Sequence, residues 1–260
     1  MKTKLILLAA FLMAVLLVRA QDDDLSKKIQ NPIASLISVP FQNNTEFGYG
    51  ADDRTLNTLN IQPVIPFNLT EKVNLITRTI IPIKRLPLDI DDSKSGLGDI
   101  NMSLYLTPAK PSKVIWGAGL ALGLPTATHD VLGSQKWSAG PGFVALVQPG
   151  TWTIGALAQN TWSFAGDENR SDINYFYSQI FITKGLQKGW YINSAPIITA
   201  NWEADSGNQW TLPLGAGAGR LFTIGKLPVN AQVGYYSYVV KPDGWANSEL
   251  RVQLVLLFPK

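Results

Sequence analysis

The chain's single histidine, His129, lies beside Asp130 and shortly before Ser134. A serine nucleophile needs a base within hydrogen-bond reach and a third group to orient that base. Here the candidate nucleophile and base share one loop, with no strand-borne partner evident. Hydrolysis of lipid is therefore the weakest reading, set against a solvated loop histidine. Two acidic clusters, Asp22-Asp23-Asp24 and Asp89 with Asp91 and Asp92, are of the type that binds calcium or carries solvated charge. The run Gly215-Ala216-Gly217-Ala218-Gly219 does not open a helix, so a nucleotide-binding fingerprint fails its context test. It better suits a thin-walled strand. There is no cysteine, which excludes disulfides and thiolate metal sites. No catalytic, cofactor-binding or metal-ligating residue is assigned, no cofactor is implied, and an enzyme is not expected.

The most useful polar residues sit on alternating stretches. Gln62, Lys72, Arg78, Asp99, Asn101, Gln159, Asn193, Gln232, Tyr236, Glu249 and Arg251 share one face if those stretches are strands. The opposite face carries apolar side chains. An Arg or Lys on a lipid-facing strand position costs about 2–4 kcal/mol at mid-depth, so these residues belong inside a barrel. Two readings stay open. The set lines a polar path for solutes, or it forms an internal network of ion pairs and hydrogen bonds that fills and stiffens the lumen.

The positioning elements follow from hydrophobic period. Ile100, Met102, Leu104 and Leu106 alternate with Asp99, Asn101, Ser103 and Tyr105. Leu250, Val252, Leu254, Leu256 and Phe258 alternate with Glu249, Arg251 and Gln253. This is strand alternation rather than helix periodicity. About twelve such runs occur, near 41–50, 55–67, 71–83, 98–108, 114–125, 136–148, 151–163, 172–183, 190–202, 209–220, 228–240 and 247–258. Tight links such as Pro149-Gly150 alternate with longer ones, 84–97 and 126–135 being the longest. The expected fold is all-β: a transmembrane antiparallel barrel of about twelve strands, with short periplasmic turns and longer extracellular loops. Tryptophan prefers the membrane boundary, because its ring is apolar while its N–H wants a wet partner. Trp116, Trp152 and Trp190 open strands on the short-turn side. Trp137, Trp162, Trp202 and Trp210 fall on the long-loop side. These seven form the expected aromatic girdles. Two stretches are imperfect: Asn160 falls on the apolar face near a girdle, and 172–183 is apolar on both faces.

Residues 1–20 read as a cleaved secretory signal, 21–40 as an N-terminal periplasmic segment and 41–260 as the barrel. Lys2, Lys4 and Arg19 are three of the 22 basic residues, so 19 remain against 19 acidic ones. A net charge near zero gives no footprint for nucleic acid. The implied location is the bacterial outer membrane. The implied partners are outer-membrane lipid and lipopolysaccharide, the barrel insertion machinery and a small organic solute.

Several stretches carry a family resemblance: 31–44 (NPIASLISVPFQNN), 59–66 (LNIQPVIP), 96–99 (GLGD), 122–128 (LGLPTAT), 133–137 (GSQKW) and 256–260 (LLFPK). In these the chain resembles the outer-membrane proteins grouped with phenol-degradation meta-pathway transporters, some labelled neuromedin U. The resemblance implies an outer-membrane barrel that passes small, often hydrophobic, molecules, with no established ligand residues. The expected function is passive passage of small, hydrophobic or aromatic solutes. The alternatives are a closed structural barrel and, last, a lipid hydrolase.

Overall fold

The structure, a computed structural model, describes residues 25, 27–89, 92–110 and 112–258. The signal at 1–20, the Asp22–Asp24 cluster and Asp91 lie outside the described residues. Fifteen strands follow in chain order. They are β1 (Ile37–Tyr49), β2 (Arg54–Ile61), β3 (Val64–Asn68), β4 (Val73–Asp89), β5 (Asp92–Leu97), β6 (Ile100–Pro108), β7 (Val114–Leu124) and β8 (Lys136–Val147). The rest are β9 (Trp152–Gly166), β10 (Asn174–Gly185), β11 (Trp190–Ser194), β12 (Ile197–Asn201), β13 (Trp210–Ile224), β14 (Leu227–Val240) and β15 (Ser248–Phe258). All pairings are antiparallel, and β1 closes the ring on β15 from Ile37↔Phe258 to Phe47↔Ser248. Three pairs, β2/β3, β5/β6 and β11/β12, are single staves with an interruption, so the closed barrel has 12 strands.

Two of the interruptions have a proline at the break, and at all three the freed backbone finds other partners. Pro63 and Pro196 lack the N–H that a ladder needs. At the β2/β3 break, Gln62 N donates to Pro40 O (2.8 Å) and Thr79 N to Pro63 O (3.1 Å). At the β11/β12 break, side chains satisfy the freed backbone. Ala195 N donates to Tyr236 Oη (3.2 Å), and Arg251 Nη1 donates to Ala195 O (2.8 Å). At the β5/β6 break, Thr126 Oγ1 donates to Gly98 O (3.1 Å) and accepts from Ile100 N (2.9 Å).

Alternation sorts the side chains. Leu106, Leu120, Phe143, Ile180, Val233 and Val252 stand exposed on the outside, while Tyr105, Val144, Leu157 and Tyr236 are buried within. The connections at 69–72, 109–113, 148–151, 186–189 and 225–226 lie at the end where β1 starts and β15 stops. Gly225 (φ 61°) provides the left-handed residue that this two-residue hairpin requires.

Three boundaries differ from the sequence expectation. The stretch 84–97 is not a loop: β4 runs 17 residues and pairs with β5 up to Asp89↔Asp92. Backbone pairing continues there although Lys84 and Arg85 end the apolar pattern. β1 begins at Ile37, so 37–40 belong to the barrel wall rather than to a periplasmic segment. Residues 31–36 do not lie free beneath the barrel either, because Ile33, Ala34 and Leu36 are buried in its interior.

Candidate functional site in the barrel lumen

The N-terminal segment enters the lower lumen and packs against its wall. Residues 27–29 are helical, and Asn31-Pro32 ends the helix because the residue before proline disfavours the helical region. Ile33 N donates to Asn31 Oδ1 (3.0 Å), turning the chain inward. Gln148 Nε2 donates to Lys27 O (2.8 Å), tying the segment to the wall. Ile33 is 3% exposed and enters a cluster with Val64, Ile76, Tyr105, Leu157 and Phe181. Leu25 and Ile29 pack on a second cluster that includes Ala34, Leu36, Leu221 and Leu257. This explains why β10 is apolar on both faces. Tyr177 and Phe181 meet the plug, and Ile180 and Ile182 point outward.

Above the plug is a cavity of about 350 Å³, with Glu46, Lys84, Asp99, Tyr177, Tyr238 and Glu249 in its wall. Its most tightly bonded part is a buried chain of polar groups. Tyr238 Oη lies 2.7 Å from Glu46 Oε1 and 3.1 Å from Glu249 Oε2. Glu249 Oε1 accepts from Arg251 Nε at 2.7 Å. The Arg251 guanidinium stands 4.5 Å from the centroid of the Tyr236 ring. Trp245 folds inward over the mouth, edge-on to Tyr49 with ring centroids 5.8 Å apart.

The loop at 125–135 folds over the far end and buries Leu132 (1% exposed). Asp99 holds it, with Oδ2 accepting from Ser134 N (2.6 Å) and Ser134 Oγ (2.7 Å) and Oδ1 accepting from Ala127 N (3.2 Å). Lys84 Nζ donates to Leu132 O (3.2 Å) and Arg170 Nη2 to Gly133 O (2.7 Å). Lys136 Nζ, 3.0 Å from Asp172 Oδ1, clasps the next loop. That bond and the Ser163 hydroxyl hold the exposed Asp172 carboxyl below its ordinary range, so the clasp persists through that range and is lost only as pH falls below it, through the lowered folded-state value. Hydrogen bonds to a charged group contribute about 1.5–3 kcal/mol each. Asp99→Ala should therefore speed amide exchange at 127–134 about tenfold or more, a factor of ten being about 1.4 kcal/mol. Hydrogen–deuterium exchange by mass spectrometry checks this, and unchanged rates would show that the loop is held by other contacts.

The candidate residues distribute as follows. Asp99, Asn101, Gln159 and Glu249 line the upper cavity, Asn193 and Gln232 the lower one, and Gln62 and Arg78 both. Tyr236 and Arg251 are fully buried, stacked on each other at 4.5 Å, and are not in the lining of either cavity. Lys72 does not join them: it is exposed in the turn before β4, because the strand starts at Val73. The seven tryptophans are all exposed, from 38% at Trp202 to 47% at Trp190. Lys184 lies 4.7 Å over Trp152 and Arg220 5.4 Å over Trp190 at the short-turn end. At the other end Trp202 and Trp210 pack edge to face at 5.2 Å. Asn160 is satisfied there, accepting from Trp202 Nε1 (2.9 Å) and donating to Asn174 Oδ1 (3.0 Å). Ser134 Oγ is committed to Asp99, and no hydrogen bond joins it to the exposed His129. Sequence reasoning did not single out Glu46, Lys84 or Tyr238 as lumen residues. Ile33 carried only a resemblance; its small apolar neighbours before β1 were the available signal.

No family model matches the chain, and no curated protein does. Among solved structures, an outer-membrane channel from Pseudomonas putida F1 aligns over 88% of this chain and 97% of its own, at 16% identity and TM-score 0.67. The two share a fold. Outer membrane phospholipase A from Escherichia coli aligns over 90% and 98% at 14% identity, but at TM-score 0.44, too low to argue from.

Proposed function

We propose that the chain is a bacterial outer-membrane channel for small organic solutes, held closed here by its own N-terminal segment. The observation that supports this reading is the interior: strand side chains leave cavities of about 350 Å³ and 170 Å³, the smaller bordered by the N-terminal segment. Eight-stranded barrels are just filled by their side chains, and twelve strands leave more room. The apolar exterior with exposed tryptophan at both ends supports residence in a membrane with contacts to outer-membrane lipid and lipopolysaccharide. Delivery by a cleaved signal and the barrel insertion machinery follows from the same reading. The shared fold and the phenol meta-pathway resemblance support passage of small, hydrophobic or aromatic molecules, without catalysis.

The alternative, a permanently closed barrel, is favoured by the buried Glu249–Arg251 pair. It is disfavoured by Arg78, which forms no ion pair among the described residues and bonds Gln62 instead (2.7 Å). Planar-bilayer recording of the full mature chain decides between them. A channel gives discrete conductance steps, small with the plug seated and larger once it is displaced. No steps in either state would establish the closed barrel. Liposome swelling with sugars, amino acids and aromatic acids then ranks the solutes.

A further inference from the structure

The smaller cavity, of about 170 Å³, is bordered by the plug, and its wall changes chemistry with depth. Its polar part presents Gln179, Asn193, Asn230, Gln232 and Gln253 together with Arg78. Its apolar part, further along the same strands toward the short-turn end, is Phe181, Val255 and Leu257, with Val64 and with Ala34 and Leu36 of the plug. Two of the carboxamides have an unsatisfied oxygen. Asn193 Oδ1 and Asn230 Oδ1 have no hydrogen-bond partner, although the residues are only 9% and 2% exposed. Buried polar groups are nearly always paired, and an unpaired one costs about 1–3 kcal/mol. A carboxamide can turn over, so its free end offers a guest either an oxygen or an amino group. The neighbouring strand β13 is thinned beside these side chains, Gly219 pairing with Tyr191 and Gly217 with Asn193. A Cβ on Gly219 would collide with the Tyr191 hydroxyl, and one on Gly217 would stand 3.1 Å from Asn193 Oδ1.

Charge narrows the guest. Among the described residues no aspartate or glutamate lines this cavity, whereas Arg78 and Lys28 do; Arg78 also lines the larger cavity above, where Glu46, Asp99 and Glu249 are found. The Arg78 Nη2 is bound to the neutral Gln62, and among the described residues Arg78 forms no ion pair. Guanidinium groups recognise carboxylates by paired, charge-assisted hydrogen bonds. A cavity of about 150 Å³ lined by apolar groups is large enough for a benzene ring. We infer that this cavity is a binding site for a small organic monoanion, a carboxylate on an apolar body of about one ring, with Arg78 anchoring the carboxylate and the carboxamides completing its hydrogen bonds. The inference deepens the channel reading by naming a solute class, and it rests on that reading for the path to the cavity.

The test measures binding, not flux. The full mature chain in lipid nanodiscs is titrated with para-fluorobenzoate and with its neutral counterpart para-fluorobenzamide, followed by fluorine NMR. The carboxylate should bind saturably and about tenfold or more tighter than the amide, as a charge-assisted bond requires. Arg78→Gln should bring it down to the amide, and Arg78→Lys should keep part of the difference. Asn230→Leu fills only the lower cavity and should abolish binding of both. Equal affinity for acid and amide overturns the inference. So does benzoate binding unchanged by Arg78→Gln, or by Asn230→Leu, the latter placing the guest in the upper cavity. The heat-dependent gel shift of folded barrels confirms each variant's fold, and Arg78→Lys and Asn230→Leu keep the test decisive if Arg78→Gln does not fold. Glycerol flux through proteoliposomes separates the two readings. Flux without benzoate binding overturns the site alone, and binding without flux overturns the channel alone.

Discussion

Arg251→Met is expected to destabilise the barrel by about 3–5 kcal/mol, the range for removing one partner of a buried ion pair. Arg251 is 2% exposed and Glu249 3%. Methionine takes away the 2.7 Å bond to Glu249, the 2.8 Å bond to Ala195 O and the charge over the Tyr236 ring. It leaves a buried carboxylate whose remaining donor, the Tyr238 hydroxyl, has one proton to serve both Glu249 and Glu46. It also orphans the carbonyl that the break before Pro196 had freed from the ladder. Urea unfolding in lipid vesicles, followed by tryptophan emission, measures the loss. A shift below about 1 kcal/mol would show that the pair is peripheral to stability. The double variant Glu249→Gln with Arg251→Met should recover most of the loss, because no unpaired charge then remains. Full recovery is not expected, since Ala195 O stays without its donor.

The second large effect is on permeation. Ile33→Asp places a carboxylate in the apolar cluster of Val64, Ile76, Tyr105, Leu157 and Phe181. The segment then loses about 1.5–3 kcal/mol of isoleucine burial and must desolvate a charge as well. The anchors that remain are the Gln148 bond to Lys27 and the contacts of Leu25 and Ile29. Release is the expected outcome, with single-channel conductance rising on the order of threefold or more as the lower lumen opens. Ile33→Leu, which conserves volume and polarity, should leave conductance unchanged. Identical steps from parent and Ile33→Asp would show that the constriction lies elsewhere. The wall should remain intact in both variants, because the plug contributes no strand to the ring.

Much of the barrel could be read before any coordinates. The alternation of Leu250, Val252, Leu254 and Leu256 with Glu249, Arg251 and Gln253 dictates one inward and one outward face, since a strand has period two. Pro149-Gly150 and Gly225-Lys226 punctuate the chain, because a tight turn needs those backbone conformations. The β4–β5 hairpin was not legible as strand. Lys84, Arg85, Lys94 and the glycines break the apolar pattern, and only mutual backbone pairing makes these segments extended. Lys72 illustrates the opposite failure: it keeps the period but falls one residue before the strand, where period has no meaning.

The sequence by itself determined that the strands form, that their polar faces turn to a common side and that tryptophans mark both rims. Those are local properties, set by side-chain period and by the affinity of each residue for apolar or wet surroundings. Tertiary structure alone decided what the polar side encloses. The approach of Tyr238 to two glutamates, the use of Arg251 to satisfy the break at Ala195 and the bond of Arg78 to Gln62 depend on which strands become neighbours across the ring. The entry of Ile33 depends on the lumen being wide enough to receive it and apolar enough at that depth to hold it. No stretch of sequence contains either condition, because both arise only when residues far apart in the chain close around the same space.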